Sequence, residues 1–192
     1  MPPNGILPST HQASYSTYMP QKVTTVGDPV LRSKAKQVPR DEIGSKKITD
    51  VIKKMSTVLR ATDDGIGIAA PQIGASLRIF LASEEALAID REDAENSEKA
   101  KKRDWTYYVF INPEIVKKSG KKIKATEGCL SVPKKYGTVP RSEKIRVRAL
   151  DEHGKRFERG ASGLFARLLQ HELDHLEGVL YIDKADKVVS VP

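Results

Sequence analysis

The sequence predicts an α+β fold in which antiparallel strands pack around a central C-terminal helix carrying a His-Glu-x-x-His motif. Three observations predict it. Five short stretches of strand character lie between turn residues in the middle of the chain. An amphipathic helical pattern precedes them, and a second one follows, with leucines and histidines on one face. No internal repeat is visible, and this order of elements is that of an α+β domain.

The elements follow in order. Residues 1–20, MPPNGILPSTHQASYSTYMP, have no charged side chain and are rich in Pro, Ser and Thr. They lack the basic start and apolar run of a secretory signal, and the arginines of a mitochondrial transit segment. They are expected to be a disordered tail or presequence remnant. VGDPVLRSKAKQVPRDEIG (26–44) reads as a turn, a short helical piece and another turn, punctuated by Pro29 and Pro39. In KKITDVIKKMSTVLRA (46–61), Ile48, Ile52, Met55 and Leu59 recur at helical spacing, so this segment is an amphipathic helix whose stripe faces the core.

LRIFLAS (77–83), TYYVFIN (106–112), KKIKATE (121–127), KIRVRAL (144–150) and KRFERGA (155–161) read as strands, the fourth with polar–apolar alternation. Between the first two, residues 84–104 alternate blocks of acid and base, with few large apolar groups after Ile89. This is a solvated insertion, partly helical or mobile. The last helix is expected from Ser162, as N-cap, to Glu177, with Gly178 as its stop. Leu164, Leu168, His171 and His175 then share one face, which turns the histidines inward. Residues 21–187 are read as a single domain and 188–192 as a tail.

Bulk properties narrow the class. With 192 residues, 39% hydrophobic and 30% charged, the chain can bury a globular core. No window approaches the roughly 18 consecutive apolar residues of a transmembrane segment. One cysteine excludes an intrachain disulfide and suits a reducing intracellular compartment. The formal charge of +8 suits an anionic neighbour such as a ribosome or membrane surface, and a solvated basic surface accounts for it equally well. Nothing points to DNA.

Chemistry is concentrated in QHELDHLEG (170–178). His171 and His175 lie one helical turn apart and can grip one metal ion, with Glu172 beside them. Two imidazoles need a third ligand. The extended protease pattern H-E-x-x-H-x-x-G-x-x-H is met through Gly178, but Tyr181 stands where its last histidine belongs. His11 falls in the tail and His153 in a turn. Glu177 lies on another side of the helix, leaving Asp183 and Asp186 as downstream acids. EGCLSVP (127–133) holds the only thiol, Cys129, flanked by Gly128, which permits close backbone approach. A thiolate and two neutral imidazoles make three ligands with one position open, as catalytic metals require. GIGIAAPQIG (65–74) lacks dinucleotide-loop spacing; its glycines, alanines and Gln72 suit a tight wall beside a substrate.

Together GIGIAAPQ (65–72), EGCLS (127–131) and QHELDH (170–175) resemble, in order, the three motifs of the peptide deformylase family. The likeness runs from about Val23 to Asp186 and includes GDPVLR (27–32). The resemblance implies a metal-dependent hydrolase that removes the formyl group from the N-terminal formylmethionine of nascent polypeptides. It implies Cys129, His171 and His175 as metal ligands, with a fourth position for water. Glu172 would act as general base and then acid. Gln72 and the Leu130 backbone N–H would hold the formyl oxygen. Gly67 and Gly128 would line the peptide backbone, and Ile66 and Leu168 the methionine pocket. The family commonly uses Fe²⁺, with Zn²⁺, Ni²⁺ or Co²⁺ able to substitute. A thiolate ligand favours such softer, redox-active metals and exposes the site to oxidation.

Arg167 replaces an aliphatic residue that some relatives carry near the pocket; shaping the substrate entrance and reaching solvent are its two readings, and the second is expected. In some relatives a long C-terminal helix docks on the ribosome, whereas KADKVVSVP (184–192) is short and unpatterned. Two other readings remain: a zinc endopeptidase, suggested by H-E-x-x-H alone, and a non-catalytic ribosome-binding protein with a structural metal. The first would be indifferent to a formyl group; the second would need four protein ligands and no Glu172.

Overall fold

The computed structural model describes residues 22–62, 65–89 and 106–191. The N-terminal tail and most of the 84–104 insertion lie outside the described residues. Among those described, the order is α1 (Lys46–Arg60), β1 (Gly67–Ala69), β2 (Ile79–Ser83), α2 (Glu85–Ile89), β3 (Tyr107–Lys118) and β4 (Lys122–Cys129). There follow β5 (Val132–Ser142), β6 (Lys144–Leu150), β7 (Arg156–Ser162), α3 (Gly163–Leu176) and β8 (Val188–Ser190).

The strands form a five-stranded sheet, β1-β2-β3-β6-β7, and a three-stranded sheet, β4-β5-β8. Every pairing within both is antiparallel. Helix α3 presses its apolar face, including Phe165, Leu169 and Leu176, against Phe80, Phe110 and Val147 of the larger sheet. Helix α1 starts where the Ser45 hydroxyl accepts the Ile48 N–H at 3.4 Å. Its predicted stripe packs Ile48, Met55 and Leu59 with Ile68, Leu81 and Ile111, and Ile52 lies half-buried beside them. Among the described residues, no helix is long and apolar enough to cross a membrane.

Four segments depart from the sequence expectation. β3 continues six residues past Asn112, which adopts a left-handed φ of 51° at a register shift. The Asn112 side chain offsets the irregularity, accepting the Val38 N–H and donating to the Val38 carbonyl, each at 2.8 Å. β5 was masked in the sequence by Pro133, Gly137 and Pro140. β8 covers it only from Lys135 to Gly137, so both prolines stand where no ladder hydrogen bond to β8 is needed. β8 itself falls in the expected tail, and pairing with β5 gives it strand form. The short β1 lies in the segment read as a wall and is added to the edge of β2. At the start of the insertion, Ala86 of α2 is fully buried in the core.

The end of α3 matches expectation, and its start does so in part. Ser162 occupies the N-cap position, though its side chain makes no capping hydrogen bond. Gly178 has φ +74°, and a Cβ there would lie 2.6 Å from the Arg32 carbonyl oxygen. Gly178→Ala is expected to destabilise the fold by about 2 kcal/mol or more, since the left-handed penalty alone is about 1–2 kcal/mol. Thermal unfolding should show a fall of about 4–8 °C in Tm; an unchanged Tm would mean that the chain relaxes freely there.

Candidate metal centre

The two histidine rings of α3 stand with centroids 5.0 Å apart, inclined at 71°. Cys129 reaches them from the end of β4, where the ladder shifts register between Glu127 and Cys129 before pairing with Val132. Such a bulge re-aims the side chain that follows it. The Cys129 Sγ lies 3.2 Å from His175 Nε2. Cys129, His171 and His175 each present a donor atom within 4.8 Å of the others. The competing candidates are engaged elsewhere: Glu177 pairs with Lys34 and Arg78, Asp183 with Arg32, and Asp186 with Lys124. His153 is exposed, and His11 lies outside the described residues.

Beneath this group lies a buried charge network. Arg141 donates through Nε and Nη2 to the two oxygens of Glu127, each at 2.8 Å. Its Nη1 donates to Asp174, which also accepts from Lys184 Nζ at 2.6 Å. Glu127 Oε2 meets His171 Nδ1 at 2.9 Å. A carboxylate there holds the hydrogen on Nδ1 and leaves the Nε2 lone pair for a cation. Burial raises the Glu127 pKa, but the bonds from Arg141 and His171 outweigh it and hold the carboxyl at about 2. Burial likewise opposes charge on His171, yet the Cys129 sulfur and Glu127 raise it to about 10. His175 is driven well down by burial and by the neighbouring cations. A soft thiolate, two imidazoles and a carboxylate orienting one ring form a donor set that suits a divalent transition metal.

Glu172 is 2% exposed, and burial pushes its carboxyl up to about 7. Among the described residues, its Oε2 and His175 Nδ1 are buried without a hydrogen-bond partner. Gly67 makes room for the carboxylate, because a Cβ there would lie 2.7 Å from Glu172 Oε1 and 2.5 Å from Leu168 Cδ1. The Gln72 amide is held from both ends: Oε1 accepts the Ala69 N–H at 2.8 Å, and Nε2 donates to Ser131 Oγ at 3.2 Å. The same Nε2 lies 3.6 Å from Cys129 Sγ, so its donor side faces the centre.

A cavity of about 450 Å³ opens onto these groups. Ile66, Gly67 and Gln72 form one wall, and Gly128, Cys129 and Leu130 another; Leu168, His171 and Glu172 line it from α3. Every site residue singled out from sequence therefore borders the cavity except His175, which is buried behind it. Arg167 differs from expectation: it is half-buried and lines the cavity. Sequence reasoning assigned no role to Ser131, Glu127, Arg141 or Asp174. Ser131, Glu127 and Asp174 sit inside the motifs themselves. Arg141 gave no local signal, because it closes a strand that the sequence does not reveal.

The family model described as polypeptide deformylase matches residues 20–190. A peptide deformylase of Pseudothermotoga lettingae is 45% identical over 166 residues, covering 86% of this chain and 82% of that one. The chloroplastic/mitochondrial peptide deformylase 1A of Arabidopsis thaliana is 42% identical over 163 residues, covering 85% of this chain and 60% of the plant protein. Among solved structures, the class I type b peptide deformylase of Acinetobacter baumannii with Met-Ala-Ser bound superposes with a TM-score of 0.71 at 31% identity. It covers 84% of this chain and 96% of that one. The Thermotoga maritima peptide deformylase gives 0.70 at 34% identity, with 87% and 98% covered.

Removing Arg141 would strand the Glu127 charge in the interior. Breaking a buried pair in this way typically costs about 3–5 kcal/mol. Arg141→Met should therefore lower the unfolding free energy by that amount in a denaturant titration. A loss below about 1 kcal/mol would show that Glu127 finds other compensation.

Proposed function

The chain belongs to the polypeptide deformylase family, an amide hydrolase that takes the formyl group from N-terminal formylmethionine and releases formate, and from this premise we propose how its residues share the work. Cys129, His171 and His175 hold one divalent metal, Fe²⁺ in the cell, with Zn²⁺, Ni²⁺ or Co²⁺ able to substitute. The observation that carries this is the convergence of one sulfur and two imidazoles within 4.8 Å, from two stretches far apart in the sequence. A cation bound there supplies Lewis acidity and lowers the pKa of water towards about 7.

The remaining steps belong to the protein. Glu172, with its carboxyl at about 7, takes a proton from the attacking water and passes it to the departing amine. A group whose pKa lies near the working pH does both well. As charge gathers on the formyl oxygen, the Gln72 amide and the Leu130 N–H donate to it. A donor of this kind is worth about 2.7–4 kcal/mol. Gln72 needs no reorganisation to do so, since Ala69 and Ser131 already orient it. Gly67 and Gly128 let the peptide backbone approach, and Ile66 and Leu168 receive the methionine side chain.

Substrates beginning with formylmethionine are made in the bacterial cytoplasm and organellar matrices, which are the compartments proposed here. Relatives of both kinds support this. The basic charge supports contact with the ribosome surface, where such chains emerge.

Formate release from formyl-Met-Ala-Ser by an Fe²⁺- or Ni²⁺-loaded, anaerobic sample tests the reading, and cleavage of internal bonds instead would favour an endopeptidase. Glu172→Ala should keep its metal while turnover falls about 10²–10⁴-fold; a near-normal rate would remove it as the base. Cys129→Ser should retain less metal by elemental analysis. Unchanged content would take the sulfur out of the ligand set.

A further inference from the structure

A peptide held by its formylmethionine end must leave the cavity through the mouth, and among the described residues the charged groups there that are not buried have one sign. Lys134 and Lys135 of β5 and Arg167 of α3 all border the opening. The acidic groups bordering it, Glu127 and Glu172, are both buried; Glu127 is committed to Arg141 and His171. Basic residues nearby are paired, Lys184 with Asp174 and Lys124 with Asp186. Among the described residues, Lys134, Lys135 and Arg167 have no ion-pair partner.

The two lysines are also held in place. The Lys134 carbonyl accepts the Val191 N–H at 2.9 Å, and the Lys135 carbonyl accepts the Tyr181 hydroxyl at 2.7 Å. Beyond them the Tyr136 ring packs across Gly128, where a Cβ would lie 2.9 Å from Cε1. The path out therefore runs past anchored cations that no described residue compensates.

We propose that Lys134 and Lys135, together with Arg167, are specificity-determining residues that favour nascent chains with acidic side chains just after the formylmethionine. This rests on the deformylase reading of the site. Exposed ion pairs are individually weak, so the preference is graded and resides mainly in KM. It also fades with salt, because screening shortens the reach of surface charges to about 3 Å at 1 M.

The test compares formate release by the Ni²⁺-loaded full chain from formyl-Met-Ala-Asp-Asp-amide, formyl-Met-Ala-Ser-Ser-amide and formyl-Met-Ala-Lys-Lys-amide. The amide ends remove the terminal carboxylate. At low salt, kcat/KM for the acidic peptide should exceed that for the basic one by about 3- to 10-fold. The ratio should approach one at about 1 M salt. Lys134→Gln/Lys135→Gln should reduce it and Lys134→Glu/Lys135→Glu should invert it, with Asp63 and Asp64, which precede Gly65, left unchanged.

A readout independent of turnover is fluorescence anisotropy of dye-labelled Met-Ala-Asp-Asp-amide and Met-Ala-Lys-Lys-amide. The acidic product should bind more tightly, by a similar factor. If the charge-reversal lysine variant fails to fold, the glutamine pair and the salt series decide. Equal rates for all three peptides, or a preference for the basic one, would overturn the charge preference and leave the deformylase reading intact. No formate from any peptide would overturn both.

Discussion

One buried carboxylate holds the site together. Glu127 lies at the end of β4, takes both prongs of Arg141 from β5, and meets the His171 ring from α3. Arg141 in turn reaches Asp174, one residue before His175. Three elements from two structural layers are thus tied through four charged groups. A buried network of this kind adds little net stability over an apolar packing, because desolvation offsets most of the Coulomb attraction. What it provides is register. Any slip of α3 along the smaller sheet would leave a charge unpaired in the interior, so the His171 ring and the Cys129 sulfur are kept in reach of one another.

The carboxylate proposed as the base depends on the opposite condition. Among the described residues, no cation is bonded to Glu172, and burial raises its pKa to about 7 while the Arg141 bond helps hold Glu127 at about 2. Two glutamates on neighbouring elements thus differ in charge state, one a permanent anion and one, in the role proposed for it, a proton carrier. Gly67 is the structural condition for the second, because any side chain at that position would occupy the space of the Glu172 carboxylate. The Gln72 amide follows the same rule of fixed orientation: partners at both ends leave its donor side turned to the centre.

Much of this was legible beforehand because it is local. The spacing of His171 and His175, the stop at Gly178, the stripe of α1 and the alternation in β6 each follow from a helical or strand period that a few residues suffice to show. Arg167 shows the limit. Its neighbours placed it on a helix face, but whether that face met solvent or the cavity depended on β5, which the sequence did not reveal.

The sequence by itself determined the inventory: two histidines one turn apart, one thiol, a glutamate beside a ring, and glycines where backbones approach. Tertiary structure alone decided how they meet. β5 and β8 became strands through pairing rather than propensity, Arg141 became the partner of Glu127 through that pairing, and the bulge at the end of β4 aimed the sulfur at α3. The physical reason is range. Helical period and chain stops act over a few residues, whereas hydrogen-bond ladders and buried charge pairs join segments far apart in the chain, and no local pattern records their partner.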